Sequence, residues 1–247
     1  MNTTSLRRQH ILAGGVGLMA ATLLFGAVFG YLAATFDYPD VLNRPAAVVL
    51  PRLLALGPTG RAVWLLYAAI PLLLILAARG VSEATRTVAP RSSRLAWWFA
   101  VTSAAAMTIG LLRWPTLHWA LATEWMQAPQ DARAVLATRF DTSNLYLGRV
   151  VGEFVGELFL NAFFLTASVA LARTQPSRRW LLLVGVPAST LGWIAMLRNM
   201  TPLVTQVAAI NNGVLPLWMF TLGAALATAG ASSARSAAKH AAPVSQV

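Results

Sequence analysis

Apolar runs cut off by arginine dominate the pattern along this chain. Ile11–Thr35 carries no charge after Arg7 and Arg8; Ala62–Ala78 is clean between Arg61 and Arg79, Leu95–Leu112 between Arg94 and Arg113, and Trp180–Leu197 between Arg179 and Arg198. The last uncharged run, Asn199–Ala234, has room for a short turn and one more helix. A helix needs about 20 apolar residues to cross the roughly 30 Å hydrocarbon core of a bilayer, so these five runs read as spans. A sixth, Leu158–Ala172, is uncharged over only 15 residues, roughly 22 Å at about 1.5 Å per residue. It crosses only by extension toward the N-terminus, which takes in Glu157 and reaches Glu153; Arg173 at the other end snorkels and adds little. The pattern predicts an all-α, polytopic membrane protein with six transmembrane helices. A single domain over 1–230 holds spans at about 11–35, 62–79, 95–113, 150–172, 180–197 and 213–230, and a disordered cytoplasmic tail follows over 231–247.

Composition agrees with that pattern. The chain is 57% hydrophobic and 11% charged, against about 25% charged residues in soluble domains, which argues against a soluble enzyme and equally against disorder. With no cysteine, disulfides, thiolate metal sites and cysteine nucleophiles are excluded. The net charge of +11 invites nucleic acid, but its distribution gives another reason for it. With the N-terminus inside, the cytoplasmic segments hold Arg7, Arg8, Arg79, Arg86, Arg91, Arg94, Arg173, Arg178, Arg179, Arg235 and Lys239 against the single acid Glu83. The opposite segments hold eight arginines against Asp37, Asp40, Glu124, Asp131, Asp141, Glu153 and Glu157. This is the positive-inside asymmetry; it puts both termini in the cytoplasm, and nucleic acid is not needed as a partner. Lys239 is the only lysine among the 19 basic residues, a codon bias that suggests a GC-rich bacterial genome, so the expected location is a bacterial inner membrane. Arg7-Arg8 precedes an apolar stretch longer than a signal-peptide core and without a small-x-small cleavage site, so it reads as a retained signal anchor.

Two connections on the outer side are long. Phe36–Arg61 contains an apolar stretch broken by Pro51 and closed by Gly57-Pro58-Thr59-Gly60, expected to lie on the interface or to fold back onto the bundle. From Trp114 to Asn144, Pro129 and Asp131 open a short helix expected to present Val135, Leu136 and Phe140 on one face. Trp114, Trp119 and Trp125 suit an outer aromatic belt, and Trp97, Trp98 and Trp180 an inner one. Gly14-Gly15-x-Gly17 in the first span reads as helix packing, since no strand precedes it to make a phosphate loop.

The start of the fourth span carries the candidate chemistry. Gly148, Gly152 and Gly156 form a face without side chains on which another backbone can approach closely. One residue round the helix, Arg149, Glu153, Glu157 and Asn161 form a polar ridge at the same spacing. Intramembrane charge is costly and faces a cavity or a partner. Arg113 and Arg198, at the ends of the third and fifth spans, are the candidate counter-charges, and Arg149 is within reach of Glu153 one turn away. Asp37, Asp40, Asn211 and Asn212 lie toward the same side. These residues read as a structural Arg–Glu network, or as a polar pocket open to the outer side that binds a small molecule or lipid for sensing or transport. A third reading is a non-catalytic subunit that packs on another membrane protein, or on a second copy, through the glycine face. An intramembrane hydrolase ranks below these. His10, His118 and His240 share no helix at metal-ligand spacing, and a site of Glu153, Glu157 and His118 is the only metal combination to consider; no metal and no cofactor are expected. There is no strand–turn–helix nucleophile elbow.

Three segments carry a family resemblance: Phe36-Asp37-Tyr38-Pro39-Asp40-Val41-Leu42-x-Arg44-Pro45, Leu111-Leu112-Arg113-Trp114-Pro115, and Tyr146-Leu147-Gly148-x-x-x-Gly152-Glu153-x-x-Gly156. Over roughly residues 10 to 230 the chain resembles the bacterial domain of unknown function family 4386. The resemblance implies a six-helix membrane protein with no established activity. In that family a histidine often follows the glutamate matching Glu153; here Phe154 stands there, which weakens a metal or proton-relay reading.

Overall fold

The computed structural model describes residues 3–241, those beyond Gly230 by backbone alone; the last helix continues to Ala241, into the tail expected to be disordered over 231–247, and the rest of that tail lies outside the described residues. Six helices are long and apolar enough to cross a membrane: Thr3–Phe36, Gly57–Thr85, Pro90–Gln127, Gln130–Ala172, Pro176–Asn199 and Pro202–Gly230. No strand occurs among the described residues. Each span packs on its neighbour in sequence, and the sixth returns to the first, so the bundle is a closed ring. The start of the first span lies against the end of the sixth, where a Cβ on Gly230 would sit 3.3 Å from the Leu12 nitrogen. The start of the first span and the end of the sixth thus belong to one end of the bundle, called here the termini end.

The helices outrun the uncharged segments, because a helix does not stop where charge begins. The sixth starts at Pro202, not near residue 213, after a tight turn through Asn199–Thr201. The third and fourth, at 38 and 43 residues, are close to twice the length needed to cross the roughly 30 Å core. Their excess forms a hairpin, Trp119–Gln127 and Gln130–Ser143, that projects opposite the termini end. The short helix Ala46–Ala55 folds back beneath it, burying Val49, Leu50 and Leu53. Asp37 turns the chain into this cap with a left-handed φ of 59°, a conformation aspartate tolerates better than most residues.

The cap changes two sequence expectations. Trp114 is no belt residue: it is buried, stacked on Trp64 at 4.7 Å and edge-on to Phe36 at 5.6 Å. The helix continues past it, and the cap covers it. Along Gln130–Ser143 Leu136 and Phe140, four apart, are buried, with Ala137 packed beside them; Val135 is 55% exposed, because one residue of offset turns a side chain about 100° round the helix.

Glycines set the closest helix approaches. A Cβ on Gly14 would lie 2.8 Å from the Gly80 Cα, and one on Gly15 would lie 2.5 Å from the Ala227 nitrogen. The Gly14-Gly15 pair therefore packs the first span against the second and sixth. Gly26, on the same span, has nothing within 4 Å of where its Cβ would be. Gly26→Ala is expected to raise stability by up to about 1 kcal/mol, the helix-propensity difference, read as a higher midpoint in thermal unfolding.

Candidate functional site

In the half of the bundle away from the termini, the ring encloses a cavity of about 550 Å³. The fourth span supplies its charged wall. This helix is continuous but wound with the wider π geometry over Asn144–Val155, returning to α geometry at Gly156. Such widened turns recur at functional sites. Glu153 and Glu157 fall on one face and both line the cavity. Their side chains keep 27% and 14% exposure, so they lie within the protein and not in open solvent.

Arg198, in the tight turn Leu197–Asn199 that ends the fifth span, meets both. It grips Glu157 with two nitrogens, Nη1 donating to Oε2 at 2.8 Å and Nη2 to Oε1 at 2.6 Å, and reaches the Glu153 Oε2 at 3.5 Å. The bidentate geometry matches the planar guanidinium to the planar carboxylate. The Trp193 indole donates to the Leu158 carbonyl at 3.1 Å and pins the fifth span to the fourth.

Arg113 lines the same cavity but meets no carboxylate among the described residues. Its guanidinium lies over Gly148, where a Cβ would sit 2.5 Å from Nη2. It donates to the Asn144 Oδ1 from Nε and Nη2 at 3.3 and 3.1 Å, and from Nη1 to the Gly110 carbonyl. Asn144 in turn donates to the Leu42 carbonyl at 3.4 Å, tying the segment after the first span to the third and fourth. Arg149 does not bond Glu153; its Nη2 donates to the Asn43 Oδ1 at 3.0 Å.

The remaining predicted residues divide. Asp40, Asn211 and Asn212 line the cavity, whereas Asp37 pairs with Arg52 at 3.5 Å, outside it. Asn161 is not in the wall: its amide packs against Gly192 of the fifth span and donates to the Glu157 carbonyl at 2.8 Å. The glycine face is taken up within the chain. Gly152 abuts Gly110, Gly148 accommodates Arg113, and Gly156 accommodates Met107, all from the third span. That face is therefore closed to a second protein, contrary to the subunit expectation.

Sequence reasoning missed Asn144, Asn43, Tyr38 and Tyr67, all in the cavity wall. Asn144 carried a signal, since it stands four residues before Gly148 and heads the glycine stripe. Tyr38 carried one too, standing between Asp37 and Asp40 in a segment that resembles the family; Tyr67, its ring centroid 6.2 Å from that of Tyr38, had none, because an aromatic residue in an apolar run is indistinguishable from core.

His118 stands apart from the cavity. Its Nε2 lies 3.0 Å from the Ser143 Oγ, and that hydroxyl donates to the Phe140 carbonyl at 2.9 Å. Nε2–H must then be the donor, the wrong polarity for a base that activates a serine. Among the described residues no group of three or more His, Asp or Glu side chains comes together to hold a metal, and His118 is not in the wall with Glu153 and Glu157.

The family model for the domain of unknown function DUF4386 matches residues 18–226, from the first span to the sixth. The chain belongs to the DUF4386 family. No curated protein and no solved structure matches it. The three segments through which the sequence resembles DUF4386 come from separate parts of the chain and meet here: Tyr38 and Asp40 from the first, Arg113 and Trp114 from the second, Gly148, Gly152 and Glu153 from the third all line the cavity. Phe154, next to Glu153, does not line it.

Proposed function

We propose that this DUF4386 protein binds a small amphiphilic molecule or a lipid in the cavity, on the outer side of a bacterial inner membrane, for sensing or transport. The arginine distribution supports this orientation, since the basic segments cluster at the termini end. The carrying observation is the cavity itself: about 550 Å³, within the range that holds small ligands, its wall mixing apolar side chains with two glutamates, Asp40, three arginines and several asparagines, Asn211 among them. A structural ion network accounts for Arg198 with Glu157 and leaves that space beside them without a purpose. Asn211 adds to the case: the residue is buried, and its Oδ1 has no hydrogen-bond partner among the described residues, a condition that costs about 1–3 kcal/mol until something donates to it.

The test is native mass spectrometry of protein purified in mild detergent. A retained adduct of small-molecule or lipid mass is expected, and Met219→Trp, which puts an indole into the cavity, should remove it while the protein still unfolds cooperatively. Wild-type protein that carries no adduct from any lipid background would overturn the reading.

A further inference from the structure

We infer that the ligand is a zwitterionic membrane lipid whose ammonium is held by Glu153 and whose phosphate is held by Arg113, entering sideways between the first and sixth spans. This rests on the binding reading above and narrows it to a chemical class.

Charge balance in the wall leads to the headgroup. Arg198 is one cation shared by two carboxylates, and the sharing is unequal: Glu157 has both oxygens within 2.8 Å of it, Glu153 a single contact at 3.5 Å. The cluster carries one surplus negative charge, centred on Glu153. Arg113 is the converse. It is buried, its hydrogen-bond acceptors are neutral amide oxygens, and it makes no ion pair among the described residues. At the rim, half-buried Arg149 and exposed Asp40 are of opposite sign. The wall thus offers one anion only loosely paired and one cation without a direct ion pair among the described residues. A ligand of single charge would neutralise one and leave the other buried without a counter-ion, which is costly; a zwitterion answers both. Glu153 and the unpartnered Asn211 Oδ1 are acceptors, so the cationic end must carry N–H groups. The forked donors of Arg113 suit a phosphate.

The shape of the seam indicates where this zwitterion comes from. At the termini end the first and sixth spans are sealed, a Cβ on Gly223 falling 2.9 Å from the Gly15 carbonyl. Farther along, the cavity intervenes. Phe25 and Phe29 line it from the first span and Ala209 and Asn212 from the sixth, and both of the latter are exposed. A polar amide exposed on a membrane span is unfavourable against lipid tails and suitable at the mouth of a polar chamber. The volume suits a headgroup and the first methylenes but not two acyl chains, so the tails remain in the bilayer and pass through this opening.

The experiment reconstitutes the full chain in nanodiscs containing equal amounts of phosphatidylethanolamine, phosphatidylcholine and phosphatidylglycerol, then measures the lipids retained after release into detergent. Phosphatidylethanolamine should be enriched at least tenfold over either competitor. Glu153→Gln should abolish that preference while lipid is still retained, and Asn212→Trp, a change at an exposed position clear of the Arg198 cluster, should remove retention altogether. Retained lipid without headgroup preference would overturn the inference, as would free phosphoethanolamine competing as well as the lipid; both outcomes leave the cavity-binding reading intact. No retained molecule of any kind would sink both.

Discussion

Arg198→Leu is expected to lower unfolding free energy by about 3 kcal/mol, the low end of the range for breaking a buried ion pair by removing one partner. The low end applies because the Arg198 side chain is 32% exposed. The loss arises from what remains: Glu153 and Glu157, one turn apart in the wall of a shared cavity, with no cation between them. Glu157→Gln should cost clearly less, since Arg198 then keeps Glu153 as a partner and the amide retains an acceptor oxygen. The double variant Arg198→Leu/Glu157→Leu should recover much of the loss, because a missing pair is cheaper than half of one. Denaturant unfolding of the three variants gives the order directly. Equal costs for Arg198→Leu and Glu157→Gln would mean that the two carboxylates are solvated independently, and the site as described would be wrong.

Gly110→Val should be at least as damaging. A Cβ there would lie 2.5 Å from the Gly152 Cα and 2.9 Å from the Leu147 carbonyl oxygen. Both neighbours are backbone, so no rotamer change relieves the clash and the third and fourth spans must separate. Overpacking costs about 1–3 kcal/mol where side chains can adjust; here about 3 kcal/mol is expected. Arg113 lies one turn from Gly110 and reaches back to its carbonyl, so the cavity wall should open as well, and ligand retention should fall with stability. Thermal unfolding at the wild-type temperature would show that this helix contact is not close. Gly26→Ala, in open space, is the internal control.

The six spans were legible as charge-free runs because hydrocarbon tolerates almost no unpaired charge, so the placement of arginines marks the limits of each run. The acids of the fourth span were legible by the same rule applied in reverse: its clean segment is too short, so Glu157 and Glu153 had to be drawn inward, and they do line a cavity. Arg198 as their partner followed from its position at the end of a neighbouring span. Other assignments fell short for one shared reason. Arg113 and Arg149 do line the cavity, but their direct partners are amide oxygens and not carboxylates. Asn161 and Trp114 are packed into the protein instead of the wall and the belt, respectively, expected of them. Such partners depend on which way each helix is rotated. A hydropathy pattern constrains that rotation poorly when mean apolarity is high on all faces. The glycine stripe shows the difficulty most directly. Its capacity for close contact was readable, yet the occupant, the Gly110 face of the same chain, was not.

From the order of residues alone came the class of protein, the number of crossings and the pair of acids under strain, since burial of charge is an energetic constraint that acts locally along a helix. Folding in three dimensions settled how the ring closes, which arginine answers which carboxylate, and that residues from Tyr38, Arg113 and Glu153 share one chamber. Those outcomes depend on helix rotation and on backbone approach at Gly110–Gly152, Gly14–Gly80 and Gly15–Gly223. Contacts between segments so distant in the chain are selected by the packing of whole surfaces, and no local pattern encodes them.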